Sequence, residues 1–164
     1  MHLLPTLALL LTSLASAARA ATPAIVQPAD GTALAPGQSF PFAYSSIADY
    51  GASSYNYSVY LFTTPPGPLA FASASTNFGA GHYFGRFAQP NYPGNPEPRN
   101  TPPPTLVMPN FSVAPGGFGA GASATNATFY LAVFEEYATG DGVPGNRISF
   151  TANRVIYNAT TTSH

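Results

Sequence analysis

Cysteine, tryptophan and lysine are missing from the 164 residues, and charge of either sign is scarce. Without cysteine there is no disulfide, no thiol nucleophile and no thiolate metal site, so a hydrophobic core must hold the fold unaided. Without lysine the glycine run Gly116-Gly117-Phe118-Gly119-Ala120-Gly121 cannot become a phosphate-binding loop, which needs Gly-Lys-Ser/Thr. Charged residues make up 7% of the chain, against roughly 25% in an average soluble protein. The net charge is −1 with no basic stripe, so nucleic acid is not an expected partner. Apolar residues still reach 45%, which argues against a disordered chain. Eighteen prolines and 15 glycines argue against a helical bundle.

The first residues have the layout of an export signal. Leu-Leu-Pro-Thr-Leu-Ala-Leu-Leu-Leu over 3–11 is a short apolar run, and small residues follow up to Ala18-Arg19-Ala20. Residues 1–20 are therefore expected to be a signal peptide, cut before Ala21. The run is too short for a bilayer span, which takes about 20 apolar residues. Residues 21–164 then suit one domain. The end of the chain, Asn-Ala-Thr-Thr-Thr-Ser-His, carries no hydrophobic tail, so a released form without a membrane anchor is expected. Four Asn-x-Ser/Thr sequons fit the same compartment: Asn56, Asn110, Asn126 and Asn158. Glycans there would supply the solubility that charge does not.

Wherever the sequence is periodic, the period is two. Residues 24–28 read as a first strand, followed by turn signals at Asp30-Gly31 and Pro36-Gly37. Phe40, Phe42 and Tyr44 alternate with Ser39, Pro41 and Ala43, and Pro41 makes that strand an edge or a bulged one. In residues 55–63 the Tyr57/Val59/Leu61 face is the expected core face, with Asn56, Ser58, Tyr60 and Phe62 opposite. Residues 105–111 form a weaker strand. Residues 127–137 are apolar on both faces and suit a central strand. In residues 147–157, Ile148, Phe150, Ala152 and Ile156 are expected inward, with Ser149, Thr151 and Asn153 outward and a bulge near Arg154.

Six or seven short strands in one domain of this size predict an all-β fold, an immunoglobulin-like antiparallel β-sandwich. It would carry a long Pro/aromatic-rich insertion loop over 64–104, where ten of the 18 prolines lie. A structureless stretch that long is uncommon in a compact domain. Its aromatics argue for order, and Tyr83–Ala88 is expected to form a short strand or to pack on the sandwich.

Two stretches carry a resemblance. Pro28-x-x-Gly31-Thr32, Gly37, and Phe40-x-Phe42-x-Tyr44 resemble the opening of the immunoglobulin-like domain of fungal secreted and cell-wall proteins, including yeast cell-wall assembly proteins. Ser46 to Tyr50, Asn56 to Phe62, Tyr83-Phe84-Gly85-Arg86-Phe87 and Pro93-Gly94-Asn95-Pro96 are similar to a group of small secreted proteins of mushroom-forming fungi. The resemblance implies a sandwich and an extracellular or cell-wall location. It brings no catalytic residue with it.

No residue set identifies a reaction. There is no Gly-x-Ser-x-Gly, and His82 and His164 are the histidines left after export. Glu135 and Glu136 are neighbours in a strand, so they point to opposite faces and cannot flank one glycosidic bond. Glu136 is expected to pair with Arg147 across the terminal hairpin. No histidine pair has metal-ligand spacing, and neither metal nor cofactor is expected. Tyr83, Arg86, Asn91, Tyr92 and Asn95 mix rings with polar groups in one stretch. They are the candidate ligand-binding residues, and the competing explanation is that the rings cover the sandwich edge. A secreted, non-catalytic glycoprotein that binds cell-wall polysaccharide or an extracellular protein is the expected function. The alternatives are a carbohydrate-active enzyme using Asp49, Glu135 and Asp141, and a secreted effector or inhibitor presenting 64–104.

Overall fold

A computed structural model of the chain describes residues 22–46, 55–67, 78–89, 96–111, 126–137 and 147–157. The described residues are all-β. Strands β1 (Ala24–Gln27), β2 (Thr32–Leu34), β3 (Ser39–Pro41) and β4 (Ala43–Ser45) come first. Then follow β5 (Tyr55–Phe62), β6 (Gly81–Gln89), β7 (Thr105–Val107), β8 (Ala127–Tyr137) and β9 (Arg147–Tyr157).

One layer is a five-stranded sheet in the order β2-β9-β8-β5-β6; the ribbons β1-β4 and β3-β7 supply the other layer. The run β9-β8-β5-β6 has the strand order G-F-C-C′ of a variable-type immunoglobulin sheet. All pairings are antiparallel except β2 with β9, which is parallel. As expected from its two apolar faces, β8 is central, hydrogen-bonded to β5 and β9 along its length.

Alternation explains how the layers meet. Tyr57, Val59 and Leu61 of β5 are buried, as are Phe129, Leu131 and Val133 of β8, and Val155 and Tyr157 of β9. They face Ile25, Phe40, Phe42, Leu106 and Met108 from the ribbons. The expected strand through Phe40 and Tyr44 divides at Phe42. Its first half pairs with β7 and its second with β1, while the Phe42 N–H donates to the carbonyl of Pro104 at 2.9 Å. Pro41 has no N–H to give, and the chain changes neighbours at that point.

Three expectations are corrected. Residues 64–104 are not one continuous loop, because β6 occupies Gly81–Gln89 and forms the sheet edge beside β5. This satisfies the expectation of order around Tyr83–Ala88. In β9 the faces are reversed. Ile148 and Phe150 are exposed, whereas Val155 and Tyr157 are fully buried, so Ser149, Thr151 and Asn153 lie on the inward side. The pairing with β8 runs without a register shift, so there is no bulge at Arg154. Asn153 faces inward because its amide donates to the carbonyls of Ile25 and Pro28, at 3.0 Å each. Arg154 faces outward and clamps Asp30 beside β2 at 2.5 Å.

Candidate functional site

The outward face of the five-stranded sheet is unusually aromatic. Register sets its rows: Ser58 lies between Arg86 and Phe134, Tyr60 between Tyr83 and Ala132, and Phe62 between Gly81 and Tyr130. Phe134 is in turn opposite Phe150, and Glu136 opposite Ile148. Phe78, just before β6, joins this group.

A bulge builds one side of the site. Tyr83 and Arg86 are three residues apart, and an unbroken strand would send them to opposite faces. The register between β5 and β6 shifts between Val59 and Tyr60, where Gly85 pairs with Val59 and Tyr83 with Tyr60. Phe84 is the extra residue, and it turns inward to meet Phe40 edge-on at 6.3 Å between ring centroids. Gly85 has φ +148, a conformation that side chains disfavour, and a Cβ there would lie 2.9 Å from the Phe87 ring. The bulge thus returns both Tyr83 and Arg86 to the outward face.

The rings touch one another across four strands. Tyr60 is 4.9 Å from Tyr83, 5.6 Å from Phe62 and 5.8 Å from Phe134, centroid to centroid. Phe134 is 4.9 Å from Phe150, and Phe78 bridges Phe62 and Phe150 at 5.9 and 6.0 Å. The cluster is a second apolar centre, separate from the core between the layers. Phe62 and Ala132 are buried within it, although both point away from the main core. Gly79 fits over Phe62 because a Cβ would come within 2.8 Å of that ring. The upper surface stays open: Tyr83 is 49%, Phe150 41% and Ile148 71% exposed.

A cleft of about 400 Å³ runs along this surface, lined by Ser58, Tyr60, Phe62, Phe78, Phe134, Glu136 and Ile148. Its polar rim is the ion pair of Arg86 with Glu136, at 2.7 Å. Glu136 therefore pairs with Arg86 and not with Arg147, the partner expected from the terminal hairpin. Arg147 stands opposite Tyr137 in the ladder and so falls on the other face from Glu136, whereas Arg86 shares the outward face with it.

Of the five residues predicted to bind a ligand, Tyr83 and Arg86 come together here. Asn91, Tyr92 and Asn95 lie outside the described residues, as do Asp49, Asp141 and Asn158. Sequence reasoning missed Phe78, Phe134, Ile148 and Phe150. The signal that could have found the last two is the parity of β9 counted back from Val155 and Tyr157.

On the other face, Glu135 is fully buried in the core row Tyr57–Glu135–Ser149. Tyr44 donates its hydroxyl to Glu135 Oε2 at 2.7 Å. Burial, reinforced by that hydrogen bond, pushes the Tyr44 phenol well above its ordinary range. Burial and the nearby Glu135 charge do the same to Tyr57. Glu135 and Glu136 are thus on opposite sides of the sheet and cannot share a substrate. Partial burial lowers the pKa of His82, which lies edge-on to Phe84 at 4.8 Å. Among the described residues no three His, Asp or Glu side chains gather as a metal site, and no helix is long and apolar enough to cross a membrane. No protein-family model, curated protein or solved structure matches the chain.

Proposed function

We propose that this chain is an exported, non-catalytic binding glycoprotein of the fungal cell surface or matrix, and that its outward aromatic face holds a polysaccharide. The observation that carries this reading is the exposed Tyr83–Tyr60–Phe134–Phe150 array with the Arg86–Glu136 pair at its rim. Monomeric soluble proteins seldom leave such an apolar patch open without using it. Aromatic faces carry partial negative charge, so they attract the weakly positive C–H groups on the flat side of a sugar. Charged side chains at the edge hydrogen-bond hydroxyls more strongly than neutral ones do. From β6 to β9 the face crosses three strand gaps, about 14 Å. That width suits several linked sugars better than one.

An extracellular protein partner is the second reading. Ile148, the most exposed of the large apolar side chains here, is aliphatic and offers nothing specific to a sugar.

The test is retention of the secreted protein on insoluble β-1,3-glucan and chitin. Wild-type protein should be retained on at least one, and Tyr83→Ala and Phe150→Ala should lose most of that retention. Val107→Ser alters an exposed residue of the other layer and should change nothing. Equal retention of all four proteins, or none by the wild type, would remove the polysaccharide reading.

A further inference from the structure

We infer that Asn56 carries an N-linked glycan which lies back over the aromatic face and limits its access to outside ligands. This rests on the binding role and export proposed above, and it adds a control of that same site.

The sequon Asn56-Tyr57-Ser58 sits inside β5, so its geometry is fixed by the sheet. Tyr57 is buried in the core, which sends Asn56 and Ser58 to the outward face. Asn56 is opposite Glu136, and Glu136 is opposite Ile148. Both of those partners line the aromatic cleft, and so does Ser58. The attachment point therefore stands at the end of the cleft, in line with it. Adjacent outward rows of one strand are about 6.6 Å apart, so the first sugars of a chain that turned inward would lie over Ser58 and then Phe134.

Proximity decides the competition. A group tethered by a short flexible link acts at an effective concentration in the millimolar range. Contacts too weak to hold a free sugar would then hold the attached one. The same rings and the same Arg86–Glu136 rim serve both, so the attached glycan and an outside polysaccharide exclude each other. A face covered nine-tenths of the time binds an outside ligand about tenfold more weakly.

The two other sequons among the described residues lie elsewhere. Asn126 is exposed, with φ 55, before the first residue of β8. It is about 33 Å along that strand from Glu136. Asn110 is exposed beyond β7, next to Phe111, whose N–H donates to the Tyr157 hydroxyl at the same far end of the sheet. Glycans at these two positions do not start beside the cleft.

The experiment uses the full chain secreted from a eukaryotic host, with peptide mass mapping of Asn56. Retention on β-1,3-glucan and fluorescence of the apolar dye ANS are then compared for wild type, Asn56→Gln and Asn110→Gln. Wild type trimmed to one sugar per site in its folded state is a further sample, which removes the dependence on how Asn56→Gln folds. Modified Asn56, with about tenfold stronger retention and brighter ANS for Asn56→Gln and for the trimmed protein but not for Asn110→Gln, is the expected result. An unmodified Asn56, or equal behaviour of the Asn56 and Asn110 variants, would overturn the inference. If no form is retained on glucan, the binding role fails by itself, and the ANS comparison still decides whether the glycan covers the face.

Discussion

Tyr44 and Glu135 are 91 positions apart in the chain, and their 2.7 Å hydrogen bond joins the β1–β4 ribbon to the central strand of the large sheet. The carboxyl is fully buried, and the phenol is partly so. The Tyr44 ring also lies against that of Tyr57 at 5.0 Å, so polar and apolar contacts coincide at this junction. A chain without disulfides relies on such contacts between layers.

Tyr44→Phe keeps the ring and removes the donor. The buried Glu135 carboxyl loses a partner, and a hydrogen bond to a charged group contributes about 1.5–3 kcal/mol. We expect a loss of about 2 kcal/mol in urea unfolding, with an unchanged m-value. Adding Glu135→Gln to Tyr44→Phe should cost less than the two single losses combined, because the two residues share one interaction. Strict additivity would mean that the bond contributes nothing.

Alkaline stability follows from the same junction. Tyr44 and Tyr57 hold their protons in the folded state to a pH well above the ordinary value of 10.0, chiefly because they are buried. In the unfolded chain they ionise at the ordinary value. Their contribution is therefore complete below pH 10 and is lost as pH rises above it, by up to about 1.4 kcal/mol per pH unit for each tyrosine. Tyr44→Phe should flatten the decline of stability above pH 10 by about one proton. Tyrosinate absorbance should show Tyr44 and Tyr57 ionising only with unfolding. Simple ionisation of both in the folded protein would contradict this.

Strand faces were legible where polar residues marked the outward one, as Asn56 and Ser58 do in β5. In β5 the Tyr57/Val59/Leu61 row is the core row that alternation predicts. In β9 both faces carry apolar groups, and the rule of apolar inward picked the wrong one. The inward residues Ser149, Thr151 and Asn153 are polar because they lie beside Tyr44 and Glu135 or bond the carbonyls of Ile25 and Pro28. Those partners are more than a hundred residues away in the chain for Asn153, so no local pattern reveals them. The outward Ile148 and Phe150 belong to the aromatic cluster, whose other members come from β5, β6 and β8. The site was half legible: composition pointed to Tyr83 and Arg86, but only register shows what stands beside them.

Reversed parity in β9 gives a direct test. Ile148→Ser alters an exposed side chain and should shift stability by no more than about 0.5 kcal/mol. Leu131→Ala, one strand away in the true core, should cost about 2–5 kcal/mol. Thermal or urea unfolding separates these outcomes easily. A large loss from Ile148→Ser would restore the inward placement that the sequence suggests.

The bulge at Phe84-Gly85 links fold to site, and Gly85→Ala should uncouple them. The backbone there has φ +148, and an added Cβ would meet the Phe87 ring at 2.9 Å. Holding a non-glycine residue in such a region costs about 1–3 kcal/mol. Two responses are open to the chain: it can keep the bulge at that cost, or relax β6 into a regular strand. Relaxation puts Tyr83 and Arg86 on opposite faces, because they are an odd number of residues apart. Tyr83 then leaves Tyr60, Arg86 leaves Glu136, or both, and Phe84 loses its inward seat against Phe40. The expected result is a stability loss of about 1–3 kcal/mol together with lost retention on polysaccharide. Arg86→Ala is the comparison that separates the effects: it deletes an exposed ion pair worth about 0–1 kcal/mol, so it should weaken binding with little change in unfolding. Wild-type stability in Gly85→Ala would mean that the bulge is not needed to set the register of β6.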